Sequence, residues 1–173
     1  ENFFTKCAPA VFMGWSNLNF DRRMFHFNFF KGNRYPYATH SSPNSEHDGL
    51  HIARAAQTLN SETLKTELTE AGNPSLALES LSRMQGFDTS ASHTAYVDAQ
   101  NSLKVLRIIK DKHKENWDTF LKTSTKTSVE TFLKNEGIYS IFENVKGRNM
   151  MYLTGTLHPN HCFHPSYASW GYV

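Results

Sequence analysis

Cysteine is nearly absent from this chain: Cys7 and Cys162 are the only two among 173 residues. A disulfide-rich scaffold is thereby excluded, while one long-range bridge between the two ends stays open. No apolar run approaches the roughly 18 residues that a membrane-spanning helix needs. The N-terminus also lacks a charged segment leading into an apolar one, the mark of a secretory leader. Charge of one sign is not in excess either, since 18 Lys and Arg face 16 Asp and Glu for a net +2. That balance is too mild for an obligate polyanion binder and leaves only local basic patches open. No glycine-rich phosphate loop, dinucleotide fingerprint or Gly-x-Ser-x-Gly elbow occurs, which removes the standard nucleotide-binding and serine-hydrolase readings.

Aromatic residues are plentiful, with 13 Phe, 7 Tyr and 3 Trp, and 39% of the chain is hydrophobic. Those values are globular, and the length suits one domain spanning residues 1–173. The chain starts at Glu1 rather than Met. The expectation is a soluble product, secreted or processed from a longer precursor.

Residues 1 to about 43 read as strands and loops. Rings alternate with polar residues in Met24-Phe25-His26-Phe27-Asn28-Phe29, the period of a strand with one buried face. From Ser45 to about Lys134 the pattern is helical, with Ile52, Ala55, Ala56 and Leu59 as a first stripe that Leu64 and Leu68 extend. A short helix follows from Ser75 to about Gln85. A long one from about Ser92 to Lys122 carries Leu103, Leu106, Ile109, His113, Trp117 and Phe120 on one side. Thr127-Ser128-Val129-Glu130 has the form of a capping box, so a last helix is predicted over about 128–136, with Gly137 past its end. Residues 138–142, 150–154 and 167–173 then favour strands. The fold class is α+β: central helices packed on an antiparallel or mixed sheet built from N- and C-terminal strands.

Histidine placement carries the most chemistry. Six of the nine fall in two windows, His40, His47 and His51, then His158, His161 and His164. Imidazole is a common metal ligand and titrates near neutrality, so convergent windows would build a metal or acid/base centre. His47-Asp48-Gly49-Leu50-His51 places two histidines at i and i+4, and resembles the His-Glu-x-x-His zincin signature with aspartate in place of glutamate. The competing reading of the same residues is structural: Ser45-x-x-Asp48 has the form of a capping box. The second window, with Cys162 among its histidines, favours zinc or another first-row divalent metal on a loop.

The leading expectation is a metal-dependent, zinc-type hydrolase. His47 and His51 hold the ion, one of His158, His161 or His164 completes the shell, and Asp48 or Glu46 activates water. The alternative is a non-catalytic binding or assembly domain that contacts protein or nucleic acid. Its surface is Arg22, Arg23, Lys31 and Arg34, interleaved with Phe25, Phe27, Phe29, Tyr35 and Tyr37. A third class uses Cys7 or Cys162 as nucleophile beside a histidine, or His26 or His40 as base with Lys31 or Arg34 on a phosphate. The run Lys104, Arg107, Lys110, Lys112 and Lys114 reads as the solvated face of its helix.

Overall fold

Why the long helical region bends, and what it bends around, decides the architecture. The computed structural model describes residues 2–90 and 94–155. In chain order the elements are α1 (Asn2–Lys6), β1 (Val11–Gly14), α2 (Asp21–Lys31), β2 (Ser45–Asp48), α3 (Gly49–Leu59) and α4 (Leu78–Met84). Then come α5 (Ala95–Lys112), α6 (Lys114–Lys122), α7 (Lys126–Glu136), β3 (Ile138–Val145) and β4 (Arg148–Gly155). The class is α+β, as the composition of helix and strand signals implied. The strands form two separate pairs, parallel β1–β2 and antiparallel β3–β4, so the described terminal strands do not share one sheet. The segment 167–173, expected as a strand, lies outside the described residues.

The core sits between α3, α4 and α5. Ile52, Ala53 and Ala56 of α3 are buried with Leu81 of α4 and with Val105, Leu106 and Ile109 of α5. Ala53 and Ala56 are fully buried, and small side chains at a helix contact let the two axes approach closely. Leu64 and Leu76 close the layer from the 60–77 connection, which is not helical. There Leu64 is inside but Leu68 is 70% exposed, beside a turn held by the Thr69 N–H to Asn73 carbonyl bond of 2.8 Å.

The helix expected over 92–122 breaks at His113. Its ring shares a 2.6 Å hydrogen bond with the Thr63 hydroxyl, and the Lys112 ammonium donates to the carbonyls of Glu62 and Thr63 at 2.9 and 2.7 Å. These ties to another segment outweigh the local preference for continuing one helix. The capping box of α7 is Thr125 with Ser128, not Thr127 with Glu130. The helix therefore starts two residues before the predicted position. Gly137 ends it at φ +67, a conformation open to glycine without steric cost.

The largest departure is at α2, where the alternating rings predict a strand. Asp21 stands in its first turn and Gly32 just past its end, both suited to a helix. Phe25 and Phe29 lie one turn apart and both meet Phe4 of α1 edge-on, at ring separations of 6.2 and 5.8 Å. Phe27 and Phe30 point outward, 57% and 75% exposed. Rings on both faces of one helix imitate the period of a strand.

His47 joins β2 to α6, donating from Nε2 to the Phe120 carbonyl. Burial lowers its pKa below the ordinary 6.5; the Phe120 bond opposes this, and the nearby His51 adds to it. The unfolded chain thus takes up a proton here at higher pH than the folded one. Stability is full above pH 6.5 and falls as pH drops towards the lower folded value. Thermal melts from pH 7 to 5 are expected to show this loss, and His47→Gln, which keeps a donor for Phe120, to show a shallower decline. Identical pH slopes in the two proteins would contradict the assignment.

Candidate functional site

The carboxyl ends of β1 and β2 lie side by side, with Gly14 opposite Asp48. Asp48 is 1% exposed and acts as the N-cap of α3. Its Oδ1 accepts from the backbone N–H of Leu50 at 2.9 Å and of Ser16 at 2.8 Å, while Oδ2 accepts from Leu18 at 3.4 Å. One carboxylate therefore holds both the start of α3 and the loop that follows β1. Gly49 permits the approach, since a Cβ there would stand 2.9 Å from the Gly14 carbonyl oxygen. The clamped loop ends at Asp21, the first residue of α2.

Beside this junction lies a cleft of about 1060 Å³. Met13, Gly14, Trp15 and Asn17 form its floor, and Asp21, Arg22 and Phe25 enter from α2. From α5 come Ala95, Asp98, Ser102, Leu106 and Lys110, spaced three or four apart as one helix face, with Arg107 beside Leu106. Two carboxylates, Asp21 and Asp98, each in the first turn of a helix, thus open on the same cleft as Arg107 and Lys110. Carboxylates facing a cavity with nearby cations suit a hard divalent cation together with an anionic substrate.

Of the residues expected from the sequence, Glu46, Arg22 and Phe25 line this cleft, and the other described ones do not. His47 is on β2 and α3 begins only at Gly49, so His47 and His51 do not share a helix face. Glycine at the third position and the N-cap role of Asp48 start the helix too late for that. Both oxygens of Asp48 are taken by backbone donors. Glu46 is committed too, accepting from Arg22 Nε at 2.7 Å and from the Thr39 hydroxyl, with His40 Nδ1 3.8 Å away. Among the described residues no three His, Cys, Asp or Glu side chains are grouped to hold a metal ion. His158, His161, His164 and Cys162 lie outside the described residues, and Cys7 is exposed with a free thiol.

His26 and His40 stack at 5.0 Å with Tyr37 edge-on to both. Burial, then the neighbouring His40, lowers the pKa of His26. Of the four basic residues, Arg22 turns inward to Glu46, whereas Arg23, Lys31 and Arg34 are exposed. Arg107 and Lys110, read from sequence as solvated, border the cleft. Asp98 carries no local signature, and Asp21 showed only as an acid offsetting nearby cations.

Removing the clamp is expected to be costly. Asp48→Ala deletes a helix cap and leaves three N–H groups without their acceptor, a loss of about 3 kcal/mol in urea denaturation. Asp48→Asn keeps one amide oxygen and is expected to lose less. A change below about 0.5 kcal/mol for the alanine variant, the range of ordinary surface substitutions, would remove the carboxylate from this role.

No protein-family model matches the chain. Among curated relatives, it is 26% identical over 119 residues to exodeoxyribonuclease I of Haemophilus influenzae, covering 68% of this chain and 25% of that protein. It is 28% identical over 168 residues to exodeoxyribonuclease I of Buchnera aphidicola subsp. Baizongia pistaciae, covering 91% and 34%. The chain thus spans about a quarter to a third of the curated relatives it matches. Among solved structures, E. coli exonuclease I with a dT13 oligonucleotide superposes at a TM-score of 0.74 and 18% identity, over 92% of this chain and 36% of that one. The zinc-bound form of the E. coli ExoI–ssDNA complex gives 0.72 and 20%, over 92% and 35%. The fold described above is the one seen in the matching third of exonuclease I.

Proposed function

We propose that this chain is the cation-holding part of a nuclease that hydrolyses phosphodiester bonds in DNA. The observation that carries the reading is the convergence of Asp21 and Asp98 on one cleft with Arg107 and Lys110. Its support is the likeness to exodeoxyribonuclease I, through the curated relatives and the shared fold. A divalent cation bound there would supply positive charge at the scissile phosphate. Two carboxylates with substrate phosphate and water make a usual environment for magnesium or manganese, so the donor set fits even without a third protein ligand. Asp21 and Asp98 orient the ion's side of the cleft. Arg107 and Lys110 meet the phosphate oxygens, Arg with a planar fork and Lys as a point charge. Trp15 and Phe25 supply ring faces in the cleft wall, where a base can stack.

A second reading keeps zinc on imidazole. His47 and His51 are close enough for each to affect the other's charge, and one of His158, His161 or His164 would complete that shell, with Asp48 or Glu46 near it.

Calorimetric titration with Mn2+ separates the two. Asp21→Asn and Asp98→Asn are each expected to weaken binding by at least about tenfold and to abolish Mn2+-dependent cleavage of labelled single-stranded DNA, while His47→Ala/His51→Ala retains both. Asn variants that bind Mn2+ as the wild type does would overturn the first reading. Loss of bound zinc confined to the histidine variant would favour the second.

A further inference from the structure

The outer face of α2 takes no part in the packing just described. Its inner face is settled by contacts: Arg22 to Glu46, His26 to Tyr37 and His40, Phe25 and Phe29 to Phe4. Residues 20, 23, 27 and 30 follow at three- and four-residue steps away from that side, residue 31 adjoins the last of them, and residue 34 lies just past the Gly32 cap. They are Phe20, Arg23, Phe27, Phe30, Lys31 and Arg34, three rings and three cations, with Phe27 and Phe30 successive and Lys31 and Arg34 after them. The rings are 66%, 57% and 75% exposed. Lys31 Nζ lies 5.1 Å from the centre of the Phe27 ring.

Exposed rings at this density mark a contact surface, and the interleaved cations select its partner. A protein or membrane face would gain from apolar neighbours between the rings. Here Arg23 stands between Phe20 and Phe27, Lys31 and Arg34 follow Phe30, and none of the six is an acid, with Met24 the apolar neighbour they share. Ring faces accept any base by stacking, while Arg and Lys at intervals follow a phosphate backbone. The stripe also begins beside the cleft, because Phe20 precedes Asp21, and it runs along about 16 Å of helix.

We propose that the outer face of α2 is a sequence-independent track for single-stranded DNA, along which the strand leaves the cleft. Bases stack on Phe27 and Phe30, and Arg23, Lys31 and Arg34 pair with phosphates. A base seated on Phe27 displaces Lys31 from the ring towards the backbone. The proposal rests on the nuclease reading and extends it to residues outside the cleft.

Fluorescence anisotropy with a labelled oligothymidylate, in chelator so that nothing is cleaved, tests the track. Phe27→Ala/Phe30→Ala is expected to bind at least about tenfold more weakly at unchanged circular dichroism. Lys31→Ala/Arg34→Ala is expected to flatten the slope of log affinity against log salt by about 1.4, two phosphates' worth for a single strand. Wild-type affinity in the phenylalanine variant would overturn the track. So would a wild-type dimer that this variant converts to monomer, since the face would then join two copies. Mn2+ titration of the same variant keeps the tests apart: an intact cation site with unchanged DNA affinity defeats the track alone, whereas a wild type that binds no Mn2+ defeats the nuclease reading.

Discussion

One buried carboxylate organises the parts of this molecule that carry chemistry. Asp48 receives three backbone N–H groups from two segments that are distant in sequence, the loop after β1 and the first turn of α3. A buried anion is tolerated where several donors replace its water. Because the loop it holds ends at Asp21, and because α3 packs on α5, which carries Asp98, the cleft depends on that contact from both sides. Glu46, two residues earlier, does the same for α2 through Arg22. The acids nearest the suspected histidines are thus tied by hydrogen bonds, and although Glu46 also lines the cleft, it is held by Arg22 and Thr39.

The division of α2 into two faces follows from the same arrangement. Its inner side is tied by Arg22 and by the ring cluster around Phe4, so it brings Asp21 and Phe25 to the cleft. Its outer side has no described partner for Phe20 or Phe30 and bears the exposed cations. The cleft presents carboxylates, Arg107 and Lys110, whereas the outer face of α2 presents rings and cations. A substrate that is both polyanionic and rich in flat apolar surfaces satisfies the two regions together.

Much of the interior was legible from periodicity. The stripe of α3, the short α4, the end of α7 at Gly137 and the β3–β4 pair all follow from spacing and turn residues. What failed did so where tertiary contacts override local pattern. Thr63 and the carbonyls around it break the long helix at His113. Rings on both sides of α2 mimic a strand because one set packs on Phe4 while the other stays exposed. At the site, the histidine windows drew attention since imidazole is conspicuous; His47 is tied to the Phe120 carbonyl, and the second window lies outside the described residues. Asp21 and Asp98 are ordinary first-turn acids, separated by more than seventy residues, and only the fold shows that they line one cleft. Arg107 and Lys110 were read as solvated, and both are exposed while they also border the cleft.

The most direct test is to locate the ion. A crystal of the chain soaked in Mn2+ and measured at the manganese absorption edge is expected to show an anomalous peak shared by the carboxylates of Asp21 and Asp98. A principal peak at His47 and His51, or none within the cleft, would contradict the account.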